Sequence, residues 1–409
     1  MSEIFDKKIC KTGDDKIRWV ESYMPILMQI RERFRREKPF DGIRISTSIH
    51  LEAKTAMLIM TLKDGGATVF ASGCNTLSTQ DDVAAALVNY GAEVFAVHGE
   101  DDASYRRHLT MALSQRPELI IDDGGDFISL LHSDAEEYGN RLIGGCEETT
   151  TGIMRLRSMA KKKILKYPMI NINDASCKHF FDNRYGTGQS TFDAIMHTTN
   201  LIVASKTVVV AGYGWCGRGI AMRARGLGAD VIVTEIDPVK AIEAVMDGFR
   251  VMPMIKAAEE GDVFITATGD IDVISKKHLE RMKDGVLLCN SGHFNVEISI
   301  PDLEALSVEV FDRKPGIRGY RTKDGRVLNL LAEGKLVNLA AGNGHPAEIM
   351  DLSFSLQALC LEHLVKHAPK TPGLYPVPDS INSKVAELYL MSRGIKLDRL
   401  TAKQKKYIS

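Results

Sequence analysis

Short apolar runs alternate along this chain with segments whose apolar residues recur at helical spacing, and the alternation occurs twice. Between Arg44 and Asp174, "RISTSI", "ATVFAS", "AEVFAV", "ELIID" and "MININ" have the length and β-branched content of buried strands. Between the early ones, "LEAKTAMLIMTLKDGG" and "TQDDVAAALVNYGA" place apolar residues on one helical face and stop near glycine. The pattern restarts at Thr207 with "TVVVAG", "DVIVTE", "VFITAT" and "GVLLCN". Strands that alternate with helices predict right-handed βαβ units. The expected fold class is therefore α/β, with two doubly wound parallel-sheet (Rossmann-like) domains plus a short C-terminal tail.

The second unit closes near "LVNLAAGNGHPAEIM", and the helix "DLSFSLQALCLEHLVKH" is expected to return to the first. This divides the chain into 1–181 with 346–372, then 182–345, then a tail over 373–409 that packs on the body or on a neighbouring subunit.

Composition narrows the class. A length of 409 residues exceeds what one core supports. With 44% hydrophobic and 26% charged residues and a net charge of -1, disorder, a nucleic-acid footprint and a polybasic membrane patch are excluded. "MSEIFDKKICKTGDDK" lacks the apolar stretch of a signal peptide, and no run approaches a membrane span, so a cytoplasmic protein is expected. Seven scattered cysteines without a C-x-x-C pair argue against a disulfide framework and a zinc cage, so no metal is expected.

The most specific motif is "VVVAGYGWCGRG". A β-branched strand runs into Gly212-x-Gly214-x-x-Gly217 and then a helical segment. The first glycine permits the tight turn, the second lets backbone approach a pyrophosphate, and the third allows close helix packing. Glu235, at the end of the next strand, suits the adenosine ribose hydroxyls and disfavours a 2′-phosphate, so NAD is predicted over NADP.

In the first unit, polar residues recur just after the strands: His50, Asn75 with Ser78 and Thr79, Asp123, Glu148, and Asn173 with Asp174. Carboxyl ends of parallel strands face a ligand crevice, although each residue alone is equally a cap or turn. Lys178 and Asp182 are either an exposed i, i+4 ion pair or a proton-handling pair beside an alcohol. His293 and His345 lie beside glycines on the cofactor side.

In order, "HLEAKTAMLI", "STQDDVAAAL", "IDDGGD", "EETTTG", "FDNRYG", "VVVAGYG", "CNSGHF" and "LAEGKLVNL...GHP" resemble the motifs of S-adenosyl-L-homocysteine hydrolases, from about residue 40 to the end. The resemblance implies net hydrolysis with tightly bound, recycled NAD+, one per subunit: 3′-oxidation, C4′ proton abstraction, loss of homocysteine, water addition and re-reduction. It implies Asp123 as the acid-base at C4′, Glu148 at the ribose, Lys178 and Asp182 at the 2′- and 3′-hydroxyls, and His50, with His293 second, at C5′.

It further implies Glu52, Lys54, Asn173, Asn343, His345 and Met350 as substrate contacts. Thr149, Thr150, Thr151, Asn183, Gly212, Gly214, Gly217, Glu235, Asn290 and Asn338 are the implied cofactor contacts. The implied partners are a small-molecule substrate and other copies of the chain, as a tetramer or dimer. Three departures stand out. Thr187 replaces a cysteine found in many members, the tail ends early at "KQKKYIS", and Lys54 with Asn343 replaces glutamate or glutamine and methionine at the purine edge. A lysine donates where glutamate accepts, which suits a 6-oxopurine. The adenosyl substrate is expected, with S-inosyl-L-homocysteine as the rival; a net dehydrogenase and a non-catalytic nucleotide sensor stand further off.

Overall fold

The computed structural model describes residues 2–408. Six strands build the first sheet in chain order: β1 (Arg44–Ser48), β2 (Thr68–Ser72), β3 (Glu93–Phe95), β4 (Leu119–Asp122), β5 (Gly144–Glu147) and β6 (Pro168–Asn171). The second sheet takes β7 (Thr207–Ala211), β8 (Asp230–Thr234), β9 (Arg250–Val251), β10 (Val263–Thr266), β11 (Leu287–Asn290), β12 (Ser307–Lys314), β13 (Ile317–Thr322) and β14 (Val327–Leu331). A last strand, β15 (Gly373–Pro376), returns to the first sheet.

The first sheet is parallel throughout, in the order β15-β6-β5-β4-β1-β2-β3. Its apolar residues are covered on both faces, as such a sheet requires. Helices Ala53–Asp64 and Ala347–His367 share one core with Ile45 and Ile121, while Leu113, Phe127 and Leu156 join Ile120 in the other. The chain winds outward through β2 and β3, then crosses to β4 on the far side of β1. His50 and Asp123 follow the two strands that flank this reversal, where an open α/β sheet binds its ligand.

The second sheet repeats the device, with β7 flanked by β8 and β10 and its Gly212 turn at the reversal. It differs from the purely parallel expectation at one edge. Strands β12 and β13 form an antiparallel hairpin that continues into β14. Polar residues alternate poorly along "SVEVFDRK", which lies mostly exposed, so no apolar run announced it.

The return helix spans Ala347–His367 and buries Leu352, Leu356, Cys360 and Leu364 in the first unit's core. Its Asp351 carboxylate accepts the Ile26 and Leu27 amides at 2.9 and 2.7 Å, capping helix Pro25–Glu37. The first part of the expected tail over 373–409 joins the first unit. Gly373–Pro376 pairs with β6, and helix Asp379–Ser392 buries Val385 and Leu388 against the same core. Two prolines beside a four-residue strand conceal it from pattern reading, and Pro is tolerated there because the strand is an edge. No helix among the described residues is long and apolar enough to cross a membrane.

Candidate active site

A cleft of about 1400 Å³ opens between the two sheets and is lined by the carboxyl ends of both. From the chain before the second sheet it receives His50, Asp123, Glu148, Thr149, Thr150, Thr151, Asn173, Lys178, Asp182 and Asn183. The second contributes Gly212, Gly214, Glu235, His293, Asn338 and His345. Its volume exceeds that of a cavity for one drug-sized molecule.

Backbone geometry aims the polar groups. The segment His179–Gly186 is a π-helical turn, and the extra residue per turn faces Asp182 and Asn183 inward with Lys178. The exposed-ion-pair alternative for Lys178 and Asp182 is thereby excluded, since both are buried. Lys178 Nζ lies 2.7 Å from Asn183 Oδ1, 3.5 Å from Glu148 Oε1 and 3.6 Å from Asp182 Oδ1. Asn173 Oδ1 gathers Asn183 Nδ2 at 2.9 Å and the Thr150 hydroxyl at 3.2 Å.

Electrostatics divide these groups. Burial pulls the Lys178 ammonium down, but the Asp182 and Glu148 carboxylates outweigh it and raise the lysine above its usual range. Asp182, despite burial, is held below the carboxylate range by Lys178 and by His345, whose Nδ1 lies 2.8 Å from Oδ1. Glu148 goes the other way: burial pushes it up to about 8. Asp123 is raised and His293 lowered, each chiefly by burial, and burial lowers His50 to about 3.

His50 is also fixed in tautomer. The Ser78 hydroxyl donates to the Asn75 carbonyl at 3.1 Å and therefore accepts from His50 Nδ1, 2.8 Å away. Nε2 is left with a free lone pair, 3.6 Å from Asp123 Oδ2. Asp123 Oδ1 is buried without a partner, and His293 Nδ1 lies 3.9 Å from it across the interdomain gap. Gly124 makes that approach feasible. It adopts φ +113°, and a Cβ there would lie 2.4 Å from His293 Nε2.

The dinucleotide turn is built for a phosphate. Around Gly214, at the mouth of the twelve-residue helix Trp215–Gly226, a Cβ would meet nothing within 4 Å, which leaves open space at a positive helix end. Gly217 does not line the cleft. A Cβ there would strike the Gly212 carbonyl at 1.9 Å, which is the packing role expected of the third glycine. Glu235 takes the Tyr213 amide at 2.7 Å and borders the cleft, and Asn338 Oδ1 is a buried acceptor with no protein partner. These orphaned and open features fit an NAD molecule.

Two expected side-chain contacts are corrected. Asn290 does not line the cleft: its amide nitrogen is spent on the Gly292, Phe294 and Gly334 carbonyls, so it braces the loop that carries His293. Asn343 is exposed and offers its backbone carbonyl, not its side chain, to Lys54 Nζ at 2.7 Å. Glu52 lines the cleft, but its carboxylate caps helix Ala53–Asp64 and holds Lys54 Nζ at 2.7 Å. Met350 also lines the cleft. The thiol missing at Thr187 has a neighbour instead, as Thr187 Oγ1 sits 3.6 Å from Cys216 Sγ of the glycine turn.

Sequence reasoning missed the residues that hold these groups. Ser353 donates to Asp182 Oδ2 at 2.6 Å and Gln357 to Glu148 Oε2 at 2.5 Å, both from one face of the return helix and both fully buried. Glu147 Oε1 accepts the Gly124 and Thr149 amides, and Asp122 accepts those of Phe127 and Ile128. In "DD" and "EE" the inner acid therefore braces the loop and the outer one faces the cleft. The available signal was the i, i+4 spacing of Ser353 and Gln357 among the apolar positions of that helix.

Comparison with known proteins agrees with the site. Residues 2–143 match the family model described as S-adenosyl-L-homocysteine hydrolase, and 183–344 match its NAD binding domain. An adenosylhomocysteinase of Thermococcus kodakarensis is 55% identical over 98% of this chain and 96% of its own length. An S-inosyl-L-homocysteine hydrolase of Methanopyrus kandleri is 54% identical over 99% and 96%, and an adenosylhomocysteinase of Aquifex aeolicus 54% over 100% and 98%. A glycine turn facing a cluster of buried acids, a lysine and two histidines, in a chain alike from end to end, places this protein in the S-adenosyl-L-homocysteine hydrolase family.

Proposed function

We propose that this chain catalyses the reversible hydrolysis of S-adenosyl-L-homocysteine to adenosine and L-homocysteine. The observation that carries the reading is the convergence of Asp123, Glu148, Lys178, Asp182 and His50 on the cleft that also holds the dinucleotide turn. Thr149, Thr150, Thr151, Asn183, Gly212, Gly214, Glu235 and Asn338 would hold NAD+, which would supply a reversible hydride acceptor for C3′. The remaining chemistry is proton movement by this chain's own side chains.

Lys178, held as an ammonium, takes the 3′-hydroxyl proton as it passes one to Asp182, which also contacts His345 and Ser353. Glu148, kept partly anionic by Gln357, accepts a ribose hydroxyl hydrogen bond. The ketone at C3′ acidifies the C4′ proton, which Asp123 then removes. That proton reaches the departing homocysteine sulfur through His50 Nε2, 3.6 Å from Asp123. Water adds at C5′ by the same route in reverse, with Nε2 as base, and C3′ is reduced again.

A second reading is S-inosyl-L-homocysteine hydrolysis, favoured by the Lys54 ammonium in the cleft. Two of its three hydrogens go to Glu52 and the Asn343 carbonyl, and the third is free to donate to a 6-oxo group. The same two acceptors suit adenine's amino group, which supports the adenosyl substrate. The test is steady-state comparison of S-adenosyl- and S-inosyl-L-homocysteine. A higher kcat/KM for the adenosyl compound supports the first reading, and a higher value for the inosyl compound replaces it with the second. We further propose a cytoplasmic homo-oligomer, tetramer or dimer. The reading is supported by seven free cysteines and by Val239, Ile242 and Met246 exposed along helix Pro238–Met246.

A further inference from the structure

Cys74, in the loop after β2, is buried against Asp123, which lines the cleft, and has no part in the chemistry proposed above. Its Sγ lies 3.4 Å from Asp123 Oδ2, and His50 Nε2 lies 3.6 Å from the same oxygen. The three ligand atoms all fall within 4.8 Å of one another. A tetrahedral zinc site with bonds of about 2.0–2.3 Å sets its ligands about 3.3–3.8 Å apart. The spacing present is close to that already.

Two further features point into the same space. Asp123 Oδ1 is buried and has no hydrogen-bond partner, and His293 Nδ1 approaches it at 3.9 Å. His50 presents a bare Nε2 lone pair because Ser78 accepts from Nδ1, which is the outer hydrogen bond that orients a metal-binding imidazole.

We propose that His50 Nε2, Cys74 Sγ and Asp123 form a site for a soft divalent cation, with His293 closing the fourth position, and that its occupation switches the enzyme off. The thiolate and imidazoles select zinc or cadmium over magnesium and calcium. Two anionic ligands and two neutral ones balance the dication, and binding expels the thiol proton to solvent. Because His50 and Asp123 would be engaged by the metal, nucleoside and cation exclude each other. That exclusion rests on the nucleoside reading of the cleft, whereas the ligand set does not. Cysteine spacing concealed the site, because its ligands come from the ends of β1, β2, β4 and β11 rather than from one loop.

The test is calorimetric titration of the NAD-loaded protein with zinc chloride. The expected result is about one ion bound per chain, with affinity lowered at least about tenfold by saturating adenosine and by Cys74→Ser, and no comparable binding of magnesium. Equal zinc affinity in wild type and Cys74→Ser would overturn the site, as would loss of binding in His363→Ala, which breaks the imidazole pair His363–His367 on the return helix. Should Cys74→Ser fail to fold, cadmium added to wild type must give thiolate charge-transfer absorption that adenosine suppresses, and its absence is equally fatal. Adenosine that leaves bound NAD+ unreduced would count against the hydrolase reading. Zinc loss in Cys74→Ser decides the metal site either way.

Discussion

At the residue scale, the cleft separates two tasks that share one set of acids. Lys178 sits among Asp182, Glu148 and Asn183 at the hydroxyl end, while Asp123 and His50 stand together at the other. Lys178→Ala is expected to slow reduction of bound NAD+ by adenosine at least about a hundredfold. Asp123→Asn should leave that step within about an order of magnitude and instead stop solvent exchange of the C4′ proton. Single-turnover absorbance and proton-exchange NMR separate the two, and equal loss of both in Asp123→Asn contradicts the division. Glu148 carries a pH signature. Burial raises it to about 8, so it is protonated below that pH and becomes a carboxylate above it. NAD+ reduction is therefore expected to climb as pH rises through about 8. Gln357 donates to the carboxylate, so Gln357→Leu disfavours the anion, moves the rise to higher pH and lowers the rate at neutral pH about tenfold. An unshifted profile would leave Gln357 merely structural.

At the scale of elements, two helices meet at glycines. A Cβ on Gly219 of helix Trp215–Gly226 would lie 1.8 Å from the Arg184 carbonyl, and one on Gly188 would lie 2.5 Å from the Gly219 carbonyl. Gly219→Ala must push the fingerprint helix off the π turn that holds Asp182 and Asn183, costing about 3 kcal/mol in chemical denaturation. Gly214→Ala meets open space, so it should preserve stability while weakening NAD retention, measured by dialysis. These elements were legible in the chain because buried parallel strands are continuous apolar runs and because glycine spacing has a backbone cause. The hairpin β12–β13 and strand β15 were not, since one is mostly exposed and the other is flanked by prolines. Strand-end acids announced themselves, but the braces Ser353 and Gln357 lie far along the sequence and become partners only when the return helix packs. Asn290 and Asn343 fell on motif positions, yet one is consumed by its loop and the other turns its side chain outward.

At the scale of the molecule, the placement of the glycine turn in mid-chain has a structural reason. A first domain, completed by the return helix and β15, carries proton-handling groups, and the second brings the cofactor turn, His293 and His345 to them. Lys335 of the second domain reaches Thr76 of the first at 3.2 Å, and Lys54 reaches the Asn343 carbonyl, so contacts on both sides hold the halves together. In the function proposed for it, oxidation enables elimination and is then reversed. The measurement that tests this most directly follows homocysteine thiol release and reduced-nicotinamide absorbance together, with S-adenosyl-L-homocysteine and NAD-loaded protein. The account predicts many turnovers of thiol release while reduced cofactor stays at or below one per chain. Reduced nicotinamide that accumulates in step with product, or thiol release that stops when the bound NAD+ is consumed, would contradict it.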